Sequence, residues 1–370
     1  MKIGIIAVDF YPKLGGMENY AAQLAMNFRD MGHAVHLFIK KDGQDLNNVT
    51  NYKILTKDLF KDIPSLCRFD MDVWLAINSS YGILSGYKKN VFICSHGNDF
   101  LSPWVCYQFP FLENKLIWRF KEPLEKFFSK FILNLHIGRI KGIFPNSDYT
   151  KDRFLKMYPS AKDKISVINP GVDPNFFMTT QEKSKGRFNI LSVTRLTNPR
   201  KNIRSVIEAL SLLKDKYPFT YSVIGDGPMK EYLENLVKQK NLTDQVFIKG
   251  QVSYEELKES YRSSDLFVLI PKTDKNDVEG FGMVYLEANA CGVPVLASRG
   301  NGSSNAVKEG ISGYFVDEPD AQHCQKALEE FFSGKINFDQ QKIIDHAKPF
   351  RWSNIAKQFI DQIESKKDSF

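Results

Sequence analysis

The sequence predicts an α/β protein made of two Rossmann-like, doubly wound domains that face a central cleft. The chain has 370 residues, which is enough for two ordinary domains. Short apolar runs recur along it, and helical spacing of apolar residues follows several of them. Continuous apolar runs are typical of strands in parallel sheets that are covered on both faces. Polar residues and glycines follow these runs, where such sheets place their ligands.

The composition is that of a globular protein, with 43% hydrophobic and 25% charged residues. The five cysteines are an odd number and form no Cys-x-x-Cys pair, which indicates a reducing compartment and no structural zinc. No apolar run approaches the ~18 residues of a membrane span. The first apolar run also meets Asp9 too early for a signal peptide. We therefore expect a cytoplasmic protein that is either free or peripheral on the cytoplasmic membrane face.

Most of the net charge of +7 lies in the first 180 residues. A basic N-terminal half suits a phosphate-bearing acceptor or an anionic membrane surface. Residues 103–144 interleave aromatic and basic side chains, which fits either a surface that lies on a membrane or helices packed on the sheet. Periodicity does not distinguish these two readings. Nucleic acid is not expected as a partner, since no helix-turn-helix, zinc-finger or RNA-binding signature is present.

The chain opens with a βαβ unit: a strand over residues 2–8, a helix over 18–31 and a strand over 34–39. It lacks the Gly-x-Gly-x-x-Gly of dinucleotide-binding proteins, which argues against a dehydrogenase. Gly15 and Gly16 precede the helix and permit the backbone to approach a ligand phosphate closely. A glycine pair of this kind also occurs in ordinary turns.

Three further strands are expected in the first half, and His96 follows the second of them at the ligand-binding edge of the sheet. A helix is expected over residues 148–157. Asp70 and Asp72 form an Asp-x-Asp pair before a strand, which we interpret as a turn and not as a metal site. The three strands are predicted at residues 73–77, 91–94 and 142–147.

Residues 165–173 are predicted to form a strand that ends in a turn, next to the domain boundary. The predicted organisation is a first domain, a linker, a second domain and a terminal helix that crosses back to the first domain. These parts span residues 1–170, 171–186, 187–350 and 351–370.

In the second half, a strand over residues 188–193 leads to a loop and then to a helix over 203–214. Arg195 and Lys201 bracket that loop, so their charges lie beside a helix N-terminus, an arrangement that suits a diphosphate. Arg200 receives no assigned role, and either base taken singly also fits a solvated surface. Gly225 follows another strand of this half in a glycine turn. The remaining strands and one helix are predicted at residues 221–224, 246–250, 266–270 and 293–297, and at 255–263.

The stretch from Val278 to Gly292 combines two carboxylates, Glu279 and Glu287, with glycines between a strand and a helix. Its order is strand, polar loop, helix, so Glu279 lies at a helix N-terminus. Free backbone N–H groups there can hold an anion or sugar hydroxyls. A single Glu at a helix start is also favoured by the helix dipole alone.

This Glu-Gly-Phe-Gly…Glu pattern resembles the retaining GT-B glycosyltransferases of family four (glycosyl transferases group 1), in particular its mannosyl- and glucosyltransferases. The resemblance implies that Glu279 holds donor-sugar hydroxyls and that Glu287 binds the nucleotide ribose. It also implies that Arg195 and Lys201 neutralise the departing diphosphate and that His96 lies against the donor sugar. The further donor-binding positions implied are Gly15, Gly16, Gly225, Gly280, Phe281 and Gly282.

The sequence departs from the family after the strand at 293–297. Where the family usually has Gly-Gly-x-Pro-Glu, Asn301 replaces the first glycine and Asn305 replaces the glutamate. No metal and no cofactor are implied, because the nucleotide diphosphate sugar is a co-substrate and cationic side chains stabilise its phosphates.

We expect a retaining hexosyltransferase that acts from a nucleotide diphosphate sugar, with GDP-mannose ahead of a UDP-sugar. The acceptor would be a saccharide or a lipid-linked saccharide in surface-glycan assembly, such as lipopolysaccharide, O-antigen or capsule. Two alternatives stay open: a sugar-nucleotide epimerase or phosphorylase on the same fold, and a noncatalytic sugar-nucleotide-binding protein.

Overall fold

The structure is a computed structural model whose internal contacts divide the chain into two compact units. The first unit comprises Met1–Gly171 and Trp352–Phe370, and the second comprises Val172–Arg351. The C-terminal segment is thus grouped with the N-terminal half. The residues that the structure describes are 1–8, 10, 16–97, 99–100, 127, 130–177, 186–273 and 279–367.

A parallel sheet of six strands runs through the described part of the first unit. Its strands are β1 (Lys2–Ala7), β2 (Ala34–Lys40), β3 (Thr50–Leu55), β4 (Val73–Ala76), β5 (Val91–Ser95) and β6 (Gly142–Pro145). They lie in the order β3-β2-β1-β4-β5-β6, which is the order of a doubly wound dinucleotide-type sheet. The strands β4, β5 and β6 are buried along their whole length, as their continuous apolar runs predict.

The second unit repeats this topology with its own six strands in the described residues. They are β7 (Phe188–Val193), β8 (Phe219–Ile224), β9 (Val246–Gly250), β10 (Leu266–Val268), β11 (Val295–Ser298) and β12 (Gly313–Val316). The order β12-β11-β10-β7-β8-β9 is the same doubly wound arrangement, and every pairing is parallel. The strand order therefore reverses between β7 and β10.

Helices flank both sheets. In the first unit they are α1 (Gly16–Asp30), α2 (Leu59–Leu66), α3 (residues 130–137) and α4 (Asp148–Met157). In the second unit they are α5 (Ile203–Ser211), α6 (Lys230–Gln239), α7 (Tyr254–Arg262), α8 (Met283–Ala290), α9 (Ser303–Ala306), α10 (Ala321–Phe332) and α11 (Gln340–Ala347). The last helix, α12 (Trp352–Lys367), belongs to the first unit. Among the described helices, none is long and apolar enough to cross a membrane.

Side-chain caps fix the start of several helices. Ser147 accepts a hydrogen bond from the backbone N–H of Thr150 at 3.0 Å and begins α4. Ser253 accepts one from Glu256 N–H at 3.1 Å at the start of α7. The start of α8 differs, because Gly282 precedes it in the left-handed region and no side chain caps it. The first N–H groups of α8 therefore keep hydrogen-bonding capacity for a ligand.

The strand predicted at residues 165–173 is wrong. This segment runs beside β6, where Ser166 N–H donates to Ile143 O at 3.0 Å and Ile168 N–H donates to Pro145 O at 3.1 Å. The segment forms two isolated bridges, Ile143–Ile165 and Val172–Arg351, and no strand. The reason is local, because Pro170 has no N–H to continue a ladder.

Candidate functional site

The reversal of strand order in the second sheet defines a candidate ligand site. Open parallel sheets bind ligands outside the carboxyl ends of their strands, at the point where the order reverses. Here β7 and β10 are neighbours at that point. Arg195 and Lys201 follow β7, and Glu279 follows β10. The topology therefore brings three of the predicted site residues to one edge of the second sheet.

The loop after β7 is shaped by its own asparagines. Asn198 accepts a hydrogen bond from the backbone N–H of Arg200 at 2.9 Å, and Pro199–Lys201 form one tight helical turn. Asn202 takes a left-handed conformation, with φ 61°, and its side chain donates to Ile270 O at 3.1 Å. That bond attaches the loop to the chain that leaves β10, so Lys201 is held on the side of Glu279.

Lys201 and Glu279 form a close ion pair. The Nζ of Lys201 lies 2.6 Å from Oε2 of Glu279, and Nη1 of Arg200 lies 3.7 Å from the same oxygen. The three side chains are only 21%, 13% and 10% exposed, in the order Lys201, Glu279, Arg200. Little solvent screens these charges, so their mutual attraction is stronger than on an open surface. The cluster carries a net positive charge and includes Arg200, which had no assigned role.

Arg195 lies at the same edge but outside this cluster. Its side chain is exposed, and within the described ranges it forms no ion pair with Glu279. The backbone beside it is tightly packed: a Cβ at Gly225 would lie 1.8 Å from Thr194 O, and φ there is +139°. The close approach of two backbones thus requires glycine at position 225. Arg195 remains available to an anion.

The Glu-Gly-Phe-Gly segment presents backbone and one carboxylate. Phe281 is 2% exposed and packs near Phe350, with ring centroids 6.2 Å apart, so only its backbone can meet a ligand. Gly282 has φ 84°, and a Cβ there would lie 2.3 Å from the ring of Tyr285. Gly280 is buried, and its carbonyl oxygen packs against Gly302. The first N–H groups of α8 thus follow Glu279 closely in the chain and have no side-chain cap.

Glu287 lies in the second turn of α8, apart from the Lys201–Glu279 pair. Its Oε2 accepts a hydrogen bond from the hydroxyl of Tyr261 at 2.8 Å. Burial raises the pKa of Glu287 to about 7; the Tyr261 bond opposes this shift, and the charge of Asp173 adds to it. The hydroxyl of Tyr254 donates to Asp173 at 3.1 Å, so a second tyrosine orders that carboxylate. Glu287 is thus held by Tyr261, and Asp173, which influences its pKa, is held by Tyr254.

In the first unit, His96 follows β5 in a turn that Asp99 holds. Asp99 accepts hydrogen bonds from His96 N–H at 2.8 Å, from Ser79 N–H at 2.9 Å and from Ser79 Oγ at 2.6 Å. The ring of His96 meets the ring of Tyr20 edge-on, with centroids 4.6 Å apart. Burial lowers the pKa of His96, although the charge of Asp99 works in the opposite direction. The imidazole is therefore neutral near pH 7.

Two predicted features fall partly outside the described residues. Gly15 lies outside them, while Gly16 is the first residue of α1. In the basic aromatic segment 103–144, positions 103–126 and 128–129 also lie outside.

The Asp-x-Asp pair has partners within the first unit. Asp70 forms an ion pair with Lys88 at 2.8 Å. Asp72 accepts a hydrogen bond from the backbone N–H of Lys2 at 2.7 Å. Across the described positions, no group of three or more His, Cys, Asp or Glu side chains could hold a metal ion.

Three contributors to the site geometry were not assigned from the sequence: Arg200, Tyr261 and Asp99. Arg200 neighbours Lys201, so the sequence shows a second positive charge in this loop. It does not show that the Arg200 side chain points toward Glu279. Asp99 follows His96 by three residues, a spacing that suits a side chain bonding back to its own turn. Tyr261 precedes Glu287 by 26 residues, and no spacing rule connects them.

The two halves of the chain match two glycosyltransferase families. Residues 175–349 match the family described as glycosyl transferases group 1, and residues 14–176 match glycosyltransferase family 4. The chain belongs to the group 1 glycosyltransferases. The family resemblance predicted from the glutamate pair is confirmed.

Two relatives are identical to this chain at about a third of the aligned residues. One is the putative colanic acid biosynthesis glycosyltransferase WcaL of Salmonella typhimurium, 33% identical over 60% of this chain and 53% of the relative. The other is the GDP-mannose-dependent α-(1-6)-phosphatidylinositol monomannoside mannosyltransferase of Mycolicibacterium smegmatis, 32% identical over 49% of this chain and 50% of the relative. The chain thus spans about half the length of these two relatives.

A solved structure with the same fold is Anabaena Alr3699/HepE in complex with UDP-glucose. It aligns with 99% of this chain and 100% of its own, with a TM-score of 0.72 and 18% identity. With the strand orders of both sheets, this likeness shows two Rossmann-like domains of the GT-B fold. The predicted fold class is confirmed in that respect.

Proposed function

We propose that the protein is a retaining hexosyltransferase that moves a sugar from a nucleotide diphosphate sugar to a saccharide or lipid-linked acceptor in surface-glycan assembly. The observation that supports this most is the pairing of Lys201 with Glu279, beside Arg200, where the second sheet reverses its strand order. Cations there suit a diphosphate, and a carboxylate suits sugar hydroxyls. One cluster can therefore recognise both parts of such a donor.

The proposed transfer breaks the bond between the anomeric carbon and the β-phosphate oxygen. A new bond forms between that carbon and the acceptor oxygen, and the proton of the acceptor hydroxyl passes to the departing phosphate oxygen. Negative charge therefore grows on the diphosphate as the bond breaks. Lys201, Arg195 and the N–H groups of α8 stabilise that charge. Because the chain supplies these cations, the proposed reaction uses neither a metal nor a cofactor.

Glu279 is proposed to hold the sugar and not to attack it. Its Oε2 is engaged by Lys201 at 2.6 Å, which lowers its nucleophilicity. Retaining glycosidases instead use two carboxyl groups ~5 Å apart, on opposite sides of the bond. Retention here is assigned to attack on the same face from which the phosphate leaves. His96 keeps the donor-sugar contact that the resemblance implies, as a neutral hydrogen-bonding ring.

The donor is proposed to be GDP-mannose first and a UDP-sugar second. GDP-mannose is the donor in the name of the Mycolicibacterium relative, and UDP-glucose is the ligand of the Anabaena structure. Glu287 is proposed to accept hydrogen bonds from the ribose, and Gly15, Gly16, Gly225 and residues 280–282 to line the donor with backbone.

Turnover tests this proposal directly. The protein is incubated with GDP-mannose, UDP-glucose or ADP-glucose, with and without a polyprenyl-linked saccharide, and nucleotide release and product configuration are measured. We expect release from one donor that depends on the acceptor, and a product with the anomeric configuration of the donor. Epimerised donor without acceptor would indicate an epimerase, and phosphate-dependent release a phosphorylase. Binding with no turnover would indicate a noncatalytic binder.

Association with an anionic membrane surface is proposed as a second property. Phe127, Phe131 and Leu135 follow one another at intervals of four residues, so they lie on one helical face. They are 67%, 52% and 59% exposed. Lys130 and the exposed Arg139 lie close to them in the chain. Apolar side chains flanked by bases suit an anionic lipid surface, where a lipid-linked acceptor would be found.

A further inference from the structure

The loop after β11 is built around one buried asparagine. Asn301, which stands where the group 1 pattern has glycine, is 2% exposed. Its Nδ2 donates to Ser298 O at 3.0 Å and to Ser298 Oγ at 3.1 Å. Its Oδ1 accepts a hydrogen bond from Ser303 N–H at 2.9 Å. The side chain thus joins the residues before and after it and fixes the path of the loop.

This loop contacts the backbone of Glu279 and Gly280 closely. The N–H of Gly302 donates to Glu279 O at 2.8 Å. A Cβ at position 302 would lie 1.9 Å from Gly280 O and 2.8 Å from Glu279 O, so the two backbones touch. Any displacement of Gly302 must therefore move the peptide between Glu279 and Gly280.

The same loop is also attached to the end of β10. Ser298 Oγ, which Asn301 contacts, donates to Pro271 O at 2.6 Å. Thr273 Oγ1 donates to Gly300 O at 3.3 Å. The loop is therefore anchored on residues 271–273, which follow β10, and on the backbone of Glu279.

We propose that Asn301 is a positioning residue for recognition of the donor sugar. Through Gly302 it holds the Glu279 peptide, and so it holds the Glu279 carboxylate beside Lys201. It acts without touching the ligand itself. The proposal rests on the proposed function, because it assigns the fixed carboxylate to sugar hydroxyls and leaves the diphosphate to the cations.

Hydrogen exchange on the ligand-free protein tests the positioning step. Asn301→Ala is compared with Ser304→Ala, a control at an exposed position in α9 whose Oγ makes only a long hydrogen bond of 3.4 Å to Asn301 O. Losing the asparagine bonds should speed amide exchange about tenfold in peptides covering residues 299–305 and also 279–285. Faster exchange in 299–305 alone, or in neither peptide, would overturn the proposal. If Asn301→Ala unfolds, Asn301→Ser is measured by the same criterion.

Binding tests the recognition step. Dissociation constants are measured for GDP-mannose and GDP, and for UDP-glucose and UDP, with the wild type and both variants. In Asn301→Ala the sugar-bearing ligand should lose about tenfold in affinity, while its bare diphosphate changes less than about twofold. Equal losses for both, or no loss, would contradict the positioning role.

The two proposals fail in different ways. If the wild type binds none of the four nucleotides, the proposed function is wrong and so is the sugar-recognition role of Asn301. Hydrogen exchange still decides whether Asn301 holds the Glu279 backbone. The other outcome is that the wild type binds and turns over a donor, while Asn301→Ala keeps the wild-type ratio of affinities for the sugar-bearing and the bare nucleotide. In that case only the inference about Asn301 is wrong.

Discussion

The surroundings of Glu287 change the pKa of its carboxyl group, and this makes the stability of the fold depend on pH. Its carboxyl lies in a sheltered position beside Tyr261, and burial raises its pKa to about 7 from an ordinary value of 4.5. Between these two values the folded protein holds a proton that the unfolded chain has already released. Stability therefore falls as the pH rises across this interval. A proposed ribose-binding group thus weakens the fold at neutral pH.

Replacing Glu287 with glutamine should remove this pH dependence. The free energy of unfolding of Glu287→Gln, relative to wild type, should rise by roughly 2 kcal/mol between about pH 5 and pH 8. Urea unfolding at both pH values measures it. Glu255→Gln is the control, because the side chain of Glu255 is 80% exposed. A difference between variant and wild type that stays constant with pH would contradict the raised pKa.

Only some of the site residues could be predicted from the sequence. The family pattern named Lys201 and Glu279, but they are 78 residues apart and no local rule pairs them. Their contact follows from β10 lying beside β7, which is a property of the strand order. The direction of the Arg200 side chain could not be predicted for the same reason. Sequence reasoning finds charges and motifs, and the fold decides which of them meet.

Among the elements, strands with continuous apolar runs were the most predictable. β7 and β9 have the predicted bounds, and so does α4, which starts at a serine cap. β3 was missed because it is an edge strand whose residues are mostly half-buried or exposed, so its apolar pattern is weak. The wrong strand at 165–173 shows the reverse case, an apolar run that Pro170 keeps out of the sheet.

The exposed apolar face that includes Phe131 and Leu135 is the proposed membrane contact. Phe131→Ser with Leu135→Ser should lower binding to vesicles of phosphatidylglycerol and phosphatidylcholine in equal parts by about tenfold, since two exposed apolar side chains are lost. Vesicle sedimentation measures it. Phe60→Ser is the matched control, because Phe60 is 69% exposed on α2. Equal loss in the control, or no vesicle binding by the wild type, would rule out this face as the membrane contact.

Across the whole molecule, the same six-strand topology occurs twice, once in each unit. Each sheet reverses its order between the strand that opens the unit and the fourth strand of that unit, so each has a ligand-binding edge. The second unit places the Lys201–Glu279 cluster at that edge. We propose that this cluster binds the diphosphate of a nucleotide sugar.

Calorimetric titration of GDP-mannose and UDP-glucose into wild type, Lys201→Ala and Lys335→Ala measures what Lys201 contributes to donor binding. Lys335 is the matched control, because it forms a 2.6 Å ion pair with Glu330 but is 70% exposed. Lys201→Ala should raise the Kd of the bound donor by about tenfold to a hundredfold, since a charge-assisted contact is lost and Glu279 keeps less compensation. Lys335→Ala should change it less than about twofold. Equal donor affinity in wild type and Lys201→Ala would show that this cluster does not bind the diphosphate.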